Sequence, residues 1–150
     1  GLFIPVIHTH KNRELFKDVK ISYESNWMDL HLKSLQSAYR SSPYFEYFED
    51  DFIKLYSKKE KFLVDFNIKC IKLISNLLDL DLDFKISSKY VEKTNDIIDL
   101  RDLSNARKEK KIETPKYIQV FESKHGYLNN LSILDLIFSE GKNSVSLMNN

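Results

Sequence analysis

Apolar side chains recur at helical spacing from Asn26 to Leu78, and this pattern limits the fold more than any other feature of the sequence. Between Asn26 and Arg40, one continuous arc of a helical wheel is apolar or aromatic, and charged or amide side chains fill the opposite arc. The inward arc consists of Trp27, Met28, His31, Leu32, Leu35, Ala38 and Tyr39. The spacing predicts a first amphipathic helix with Asn26 as its N-cap.

Two more helices are predicted directly after it. Ser42-Pro43 is expected to begin the second, because proline suits the first helical position. Its predicted inward side chains are Tyr44, Phe45, Phe48 and Phe52. The third is predicted from Ser57 to Leu78, since Ser57 and Glu60 have the spacing of a capping box.

Shorter segments complete the predicted domain. Alternating or continuous apolar residues predict strands at Leu2–Ile7, Val19–Tyr23, Phe84–Ile86 and Tyr117–Phe121, with Gln119 the one polar residue of the last. Helices are predicted at Lys89–Leu103 and from Ser132 to Gly141, and Arg107–Lys111 is predicted to be a charged connector. The resulting fold class is α+β: a mostly helical single domain over residues 1–150 with a small mixed sheet.

Composition excludes several classes of protein. The chain has 23 basic and 22 acidic residues, so its charge does not indicate nucleic-acid binding. Three glycines and three prolines are too few for a fold built mainly of tight hairpins. No glycine-rich phosphate loop is present and no cofactor is predicted. The single Cys70 indicates a reducing, cytoplasmic setting, and no apolar run is long enough for membrane insertion.

His31 is the first candidate site residue, because it lies inside the apolar stripe of its helix. A buried imidazole costs free energy unless its nitrogens are hydrogen-bonded. One interpretation is a core histidine that bridges backbone groups. The other is that the helix borders a pocket and His31 acts there as a general base.

His125 is the second candidate, because it follows the predicted strand Tyr117–Phe121 and precedes the capped helix. Ligands often gather where strand ends and helix N-termini meet. Asp135 is discounted as a site residue, since its spacing from Ser132 is that of a capping box. His8 and His10 are an alternative metal pair, but a catalytic zinc site typically needs three protein ligands, so no metal is predicted.

Several strings, taken together, resemble the WbqC-like protein family. They are Lys17–Ile21, Asn26-Trp27 with His31 and Ser34, Ala38–Glu46 and Asp99–Arg101. Later strings resemble its Bacteroidetes branch: Tyr117–Phe121, Lys124–Gly126 and Asn130–Gly141. Family chains usually carry a further N-terminal segment. Since Leu2–Ile7 reads as a strand already in progress, this chain is expected to begin inside a longer protein.

The resemblance implies a role in bacterial surface-polysaccharide (O-antigen) biosynthesis, with a sugar or nucleotide-sugar substrate. One branch implies a transferase that moves an amino-acyl (glycine) group onto an amino sugar. On this hypothesis His31 and His125 are catalytic, and Trp27, Tyr39, Tyr44 and Arg101 bind substrate. The alternative is a non-catalytic module that binds a glycan intermediate, a partner protein or nucleic acid through the aromatic side chains of residues 39–56.

Overall fold

Six α-helices form the regular part of the structure, a computed structural model that describes residues 2–8, 14–87, 90–92, 98–101 and 115–149. In chain order they are α1 (Trp27–Tyr39), α2 (Phe45–Ser57), α3 (Leu63–Leu77), α4 (Glu122–His125), α5 (Ile133–Glu140) and α6 (Ser144–Met148). Short 3-10 helices occupy Phe16–Asp18 and Gly141–Asn143. Helices α1, α2 and α3 pack on one another in sequence, and α5 packs on α2.

The larger of two hydrophobic clusters, the phenylalanine core, lies between α1, α2, α3 and α5. It consists of Leu35, Phe45, Phe48, Phe52, Leu77, Leu78, Ile137 and Phe138. Phe138 is fully buried and its ring contacts those of Tyr39, Phe45 and Phe52, with centroids 4.9, 5.0 and 5.2 Å apart. The predicted inward faces of α1 and α2 are therefore largely confirmed.

The second cluster, the tryptophan core, lies between α1, α3 and an extended segment before α1. It consists of Ile21, Trp27, Met28 and Phe66. The Trp27 ring is in contact with the rings of Tyr23, His31, Tyr56 and Phe66. This cluster covers the N-terminal half of α1, as the phenylalanine core covers its C-terminal half.

The predicted mixed sheet is wrong for the part of the chain that the structure describes. Leu2–Ile7 and Val19–Tyr23 are extended, but they meet only in an isolated antiparallel bridge, Val6 to Ile21, and Lys20 forms a second bridge with Phe62. Two backbone hydrogen bonds flank the first bridge: Ile7 N donates to Lys20 O and Ser22 N donates to Pro5 O. The fold is thus helical among the described residues, with extended segments laid against it.

The other two predicted strands, Phe84–Ile86 and Tyr117–Phe121, are also wrong. Residues 84–86 are exposed and irregular, and Tyr117–Phe121 forms no strand. Instead, the Gln119 side-chain amide makes two hydrogen bonds to the backbone of Leu128. Its Nε2 donates to Leu128 O at 2.6 Å, and its Oε1 accepts from Leu128 N at 2.9 Å. One amide side chain therefore provides the pairing that a neighbouring strand would have provided.

Several helix boundaries also differ from the predictions. Helix α2 begins at Phe45 instead of Ser42, because the hydroxyl and amide of Ser42 both bond back to Tyr39 O in a turn. Ser57 ends α2 and its hydroxyl donates to Lys54 O, so it does not cap α3. In the predicted helix Lys89–Leu103, residues 90–92 and 98–100 are not helical. Arg107–Lys111 lies outside the described residues.

A candidate sugar-binding cleft

A cleft of about 290 Å³ lies where the start of α2 meets the end of α5. Three aromatic residues and three polar residues line it: Tyr44, Tyr47, Phe48, Glu140, Lys142 and Asn143. Tyr47 is 73% exposed, which is unusual for so large a ring, and it meets the Phe48 ring in a T-shaped contact with centroids 4.9 Å apart. We call this cavity the Tyr44 cleft.

The Tyr44 ring is positioned by Gly141. Gly141 ends α5 with a φ of 59°, a conformation that glycine adopts without strain. A Cβ atom at this position would lie 2.7 Å from Cδ1 of Tyr44, so only a glycine lets the ring lie against the backbone. Tyr44 N also donates to Phe138 O at 3.0 Å. The predicted helix stop at Gly141 is confirmed, and the same glycine shapes the cleft.

The polar side of the cleft is held by local hydrogen bonds. Asn143 Nδ2 donates to Glu140 Oε2 at 3.1 Å, and Lys142 pairs with Asp79, which follows α3. Hydrogen bonding to Asp79 raises the pKa of Lys142, so the ammonium stays charged. A carboxylate can accept about four hydrogen bonds, so Glu140 retains acceptor positions for a ligand.

This combination suits one sugar ring. Sugars have apolar C–H faces that pack on aromatic rings and hydroxyl groups that bond to carboxylates and amides. Lys142 already pairs with Asp79, so the lining carries no excess positive charge that would favour an anion over a neutral ligand. The volume falls at the low end of the roughly 300–1,000 Å³ typical of small-molecule pockets, enough for one ring but not for a whole nucleotide sugar.

His31 lies in the tryptophan core, not in the Tyr44 cleft. It is 4% exposed, and its imidazole packs edge-on against Trp27 and Tyr56. Nε2 is 3.0 Å from Phe3 O, and since a carbonyl only accepts, Nε2 carries the proton in the neutral ring. Burial lowers the pKa of His31, and the bond to Phe3 opposes this to a smaller extent. The imidazole is therefore neutral at pH 7.

His125 lies elsewhere, on the last residue of the short helix α4. Its side chain is exposed, and Gly126 follows with a φ of 69°. Neither His125 nor His31 lines the Tyr44 cleft. The structure thus places the two predicted catalytic histidines in separate surroundings, one buried and one exposed.

The predicted substrate-binding residues are also dispersed. Tyr44 lines the cleft, but Trp27 is 3% exposed and donates through Nε1 to Ser22 O. Tyr39 is half-buried against Phe138. Arg101 pairs through two nitrogens with the carboxylate of Asp99 and stacks over the ring of Tyr90, and the bonds to Asp99 raise its pKa.

The alternative metal pair is only partly described. His8 is exposed, and His10 lies outside the described residues. Among the residues that the structure describes, no group of three His, Cys, Asp or Glu side chains is arranged to hold a metal ion. Cys70 is half-buried, and burial raises the pKa of its thiol to about 11.

Asp135 was discounted from the sequence as a capping residue, and this explanation is wrong. Ser132 does cap α5, since its hydroxyl accepts from Leu134 N. The Asp135 carboxylate, however, is 98% buried and accepts from the Tyr117 hydroxyl at 2.9 Å. Tyr39 is affected too: burial, and then the charge and hydrogen bond of Asp135, raise its pKa to about 12.

Tyr47 belongs to the aromatic side chains of residues 39–56 on which the binding alternative rests, but sequence reasoning does not find the other three: Glu140, Lys142 and Asn143. The signal that could have found them was Gly141, which had been interpreted only as a helix stop. A glycine that ends a helix next to charged and amide residues marks a place where the backbone can approach another side chain closely.

Comparison with known proteins identifies the class of the chain. The model of the WbqC-like protein family matches residues 1–111, which is most of the 150 residues. The chain therefore belongs to the WbqC-like protein family. Comparison with curated proteins finds no match, and comparison with solved structures finds none either.

The family match ends at residue 111, so the side of the cleft formed by Glu140, Lys142 and Asn143 lies beyond it. Within the described part of the chain, every helix is too short or too polar to span a bilayer.

Proposed function

We propose that this protein binds a sugar ring of a surface-polysaccharide intermediate in the Tyr44 cleft. The carrying observation is the exposed Tyr47 ring beside Tyr44, in a cleft that Glu140, Lys142 and Asn143 line with hydrogen-bonding groups. Membership of the WbqC-like family supports the proposed setting, O-antigen biosynthesis in the cytoplasm, without naming a reaction. The geometry of the cleft supplies the ligand class.

Each wall of the cleft has a different part in this proposal. The rings of Tyr44 and Tyr47 take the apolar face of the sugar, and Glu140 accepts from its hydroxyl groups. The Asn143 amide and the Lys142 ammonium donate to ring or hydroxyl oxygens. Tyr44 is held against Gly141, so one ring is already in place before the ligand arrives, which reduces the entropy lost on binding.

Amino-acyl transfer onto an amino sugar is the catalytic form of the same proposal. In this step the sugar nitrogen forms an amide bond to the glycyl carbonyl, the bond from that carbonyl to the activating group of the donor breaks and the group leaves, and a base accepts the proton of the amine. His31 is neutral and could serve chemically, but it lies in the tryptophan core. At the cleft itself, Glu140 is the group in position to accept that proton.

Binding is tested by titrating the folded protein with D-glucosamine, N-acetyl-D-glucosamine and UDP-N-acetylglucosamine, followed by NMR. Tyr47→Ala is expected to weaken binding about tenfold, because one aromatic contact of roughly 1.4 kcal/mol is lost. Tyr90→Ala is the matched control, since Tyr90 is 81% exposed and does not line the cleft. Binding by none of the three sugars, or equal weakening by both variants, would overturn the proposal.

Catalysis is tested separately with the same sugars and an activated glycyl donor. Glu140→Gln is expected to abolish product formation while sugar binding persists, and His31→Gln is expected to retain it. Loss of turnover in His31→Gln with retained turnover in Glu140→Gln would assign the base to the histidine instead.

A further inference from the structure

A second cleft, of about 460 Å³, lies between the C-terminal half of α2 and α3. Four lysines dominate its lining, together with one acidic residue, two leucines and two small polar residues. The lining residues are Asp51, Lys54, Leu55, Ser57, Lys58, Lys69, Lys72, Leu73 and Asn76. We call it the lysine cleft.

Both helices contribute to the cleft with the same register. On α2 and just beyond it, residues 51, 54, 55 and 58 recur at i, i+3, i+4 and i+7, and residues 69, 72, 73 and 76 repeat this spacing on α3. Such residues lie on one face of a helix. Leu55 and Leu73 pack against the phenylalanine core at the floor, so the lysines surround the rim.

The charge of this cleft is not balanced. Lys69 pairs with Glu60, and Lys54 lies 3.5 Å from Asp51 in an exposed pair that contributes little. Within the described part of the chain, Lys58 and Lys72 have no such carboxylate partner. With Glu60 counted as the partner of Lys69, four lysines and two carboxylates leave a local charge of about +2, in a chain whose net charge is +1.

Helix dipoles explain only part of this arrangement. A lysine in the last turn of a helix is stabilised by the negative end of the dipole, which accounts for Lys54 on α2. The effect fades within one turn, and α3 continues past Lys72 to Leu77, so it does not account for Lys69 or Lys72. Ammonium groups that line the same cleft repel one another, and a bound anion relieves that repulsion.

We propose that the lysine cleft binds a multiply charged phosphate group, with diphosphate as the simplest form. Lysine ammonium groups bind phosphate as point charges, and the Ser57 hydroxyl and Asn76 amide are further donors in the lining. The concave shape and small size favour a compact anion over a nucleic-acid strand, which requires a long basic groove. This inference does not depend on sugar binding in the Tyr44 cleft.

The test is a calorimetric titration of the full chain with inorganic pyrophosphate at low salt. The double variant Lys58→Glu/Lys72→Glu is expected to weaken binding at least about tenfold, because it removes two charge-assisted contacts. The matched control is Lys33→Glu/Lys124→Glu, which makes the same change in net charge at exposed positions outside the cleft. The control is expected to bind pyrophosphate nearly as well as the wild type.

Thermal unfolding provides a second readout that a structural role would not give. Pyrophosphate is expected to raise the Tm of the wild type and of the control, but not that of the cleft variant. Without pyrophosphate, the Tm of the cleft variant is expected to change by only a few degrees, because relief of repulsion opposes the loss of the favourable charge of Lys58 at the C-terminal end of α2. Equal weakening in both double variants, absence of pyrophosphate binding, or tighter binding of a single-stranded oligonucleotide than of pyrophosphate would overturn the proposal.

Discussion

The phenylalanine core and the tryptophan core are held together by different kinds of contact. In the first, aromatic and aliphatic side chains from α1, α2, α3 and α5 meet directly, and Phe138 touches three rings. In the second, polar atoms of buried side chains bond to the main chain of neighbouring segments. Trp27 Nε1 donates to Ser22 O and His31 Nε2 donates to Phe3 O.

This difference explains how extended segments are held without a sheet. The Tyr23 hydroxyl adds a third link, because it donates to Glu60 O and accepts from Glu60 N. These bonds satisfy backbone groups that a ladder would otherwise pair. A polar residue in an apolar stripe can therefore hold the neighbouring chain segment in place by hydrogen bonding to its backbone. Burial of such a residue does not by itself indicate a catalytic role.

The largest expected effect is on the phenylalanine core. Phe138→Ala should lower the free energy of unfolding by about 3–5 kcal/mol, because it leaves a cavity among rings that cannot collapse into it. Chemical denaturation measures this loss. Phe138→Leu is the control and should lose clearly less, because leucine refills most of the cavity; equal losses would show that cavity volume is not the cause of the destabilisation.

Asp135 is a buried polar residue at the edge of the same core, and replacing it should have the next largest effect on the free energy of unfolding. Asp135→Ala should cost about 1.5–3 kcal/mol of unfolding free energy, since a charge-assisted bond is lost and the Tyr117 hydroxyl is left without its acceptor. The double variant with Tyr117→Phe removes both partners. It should be more stable than the sum of the two single changes predicts, and simple additivity would contradict the coupling.

The tryptophan core should respond to pH where the phenylalanine core does not. Burial lowers the pKa of His31, so the unfolded chain takes up a proton at a higher pH than the folded chain. Stability should fall as pH decreases below about 6.5, the ordinary pKa of histidine. Denaturant midpoints at pH 7 and pH 5 measure this fall. His31→Phe should reduce it, whereas His125→Gln, at an exposed site, should leave it unchanged.

The smallest effect should be a gain. Among the described residues, Ser139 Oγ is the one buried side-chain oxygen that lacks a hydrogen-bond partner. Ser139 directly follows Phe138 in α5. Ser139→Ala should raise the free energy of unfolding by about 1 kcal/mol, because no desolvated hydroxyl remains. Ser144→Ala is the contrast, since the Ser144 hydroxyl bonds to Gly141 O and its loss should destabilise the protein.

Sequence patterns predicted α1, α2, α3 and α5, but not the short helices α4 and α6, and the predicted helix Lys89–Leu103 is not helical at residues 90–92 and 98–100. The stripe of α1, the Ser132 cap and the Gly141 stop all depend on local contacts, which neighbouring residues determine. The strands were predicted wrongly because alternating apolar residues indicate an extended segment that packs on a core, but not what pairs with its backbone. The Gln119 side chain bonds to the backbone of Leu128 and the His31 side chain to the backbone of Phe3, and periodicity does not reveal such contacts.

The candidate site was less accessible to prediction than the fold. Tyr44 was found through the family resemblance, but its neighbours Glu140 and Lys142 join it only through the packing of α5 on α2. The lysine cleft likewise depends on two helices bringing matched registers together. Local sequence specifies each half of such a site, and tertiary packing assembles it.

The thirteen residues of helix α2 contribute to the hydrophobic core on one face and to the two clefts on the other. Phe45, Phe48 and Phe52 face the interior, whereas Tyr47 and Lys54 share an outer face, about 10 Å apart at 1.5 Å of rise per residue. Substitutions on the outer face can alter ligand preference while the inner face keeps the fold intact. Relatives could therefore diverge in specificity through this one helix without losing thermodynamic stability.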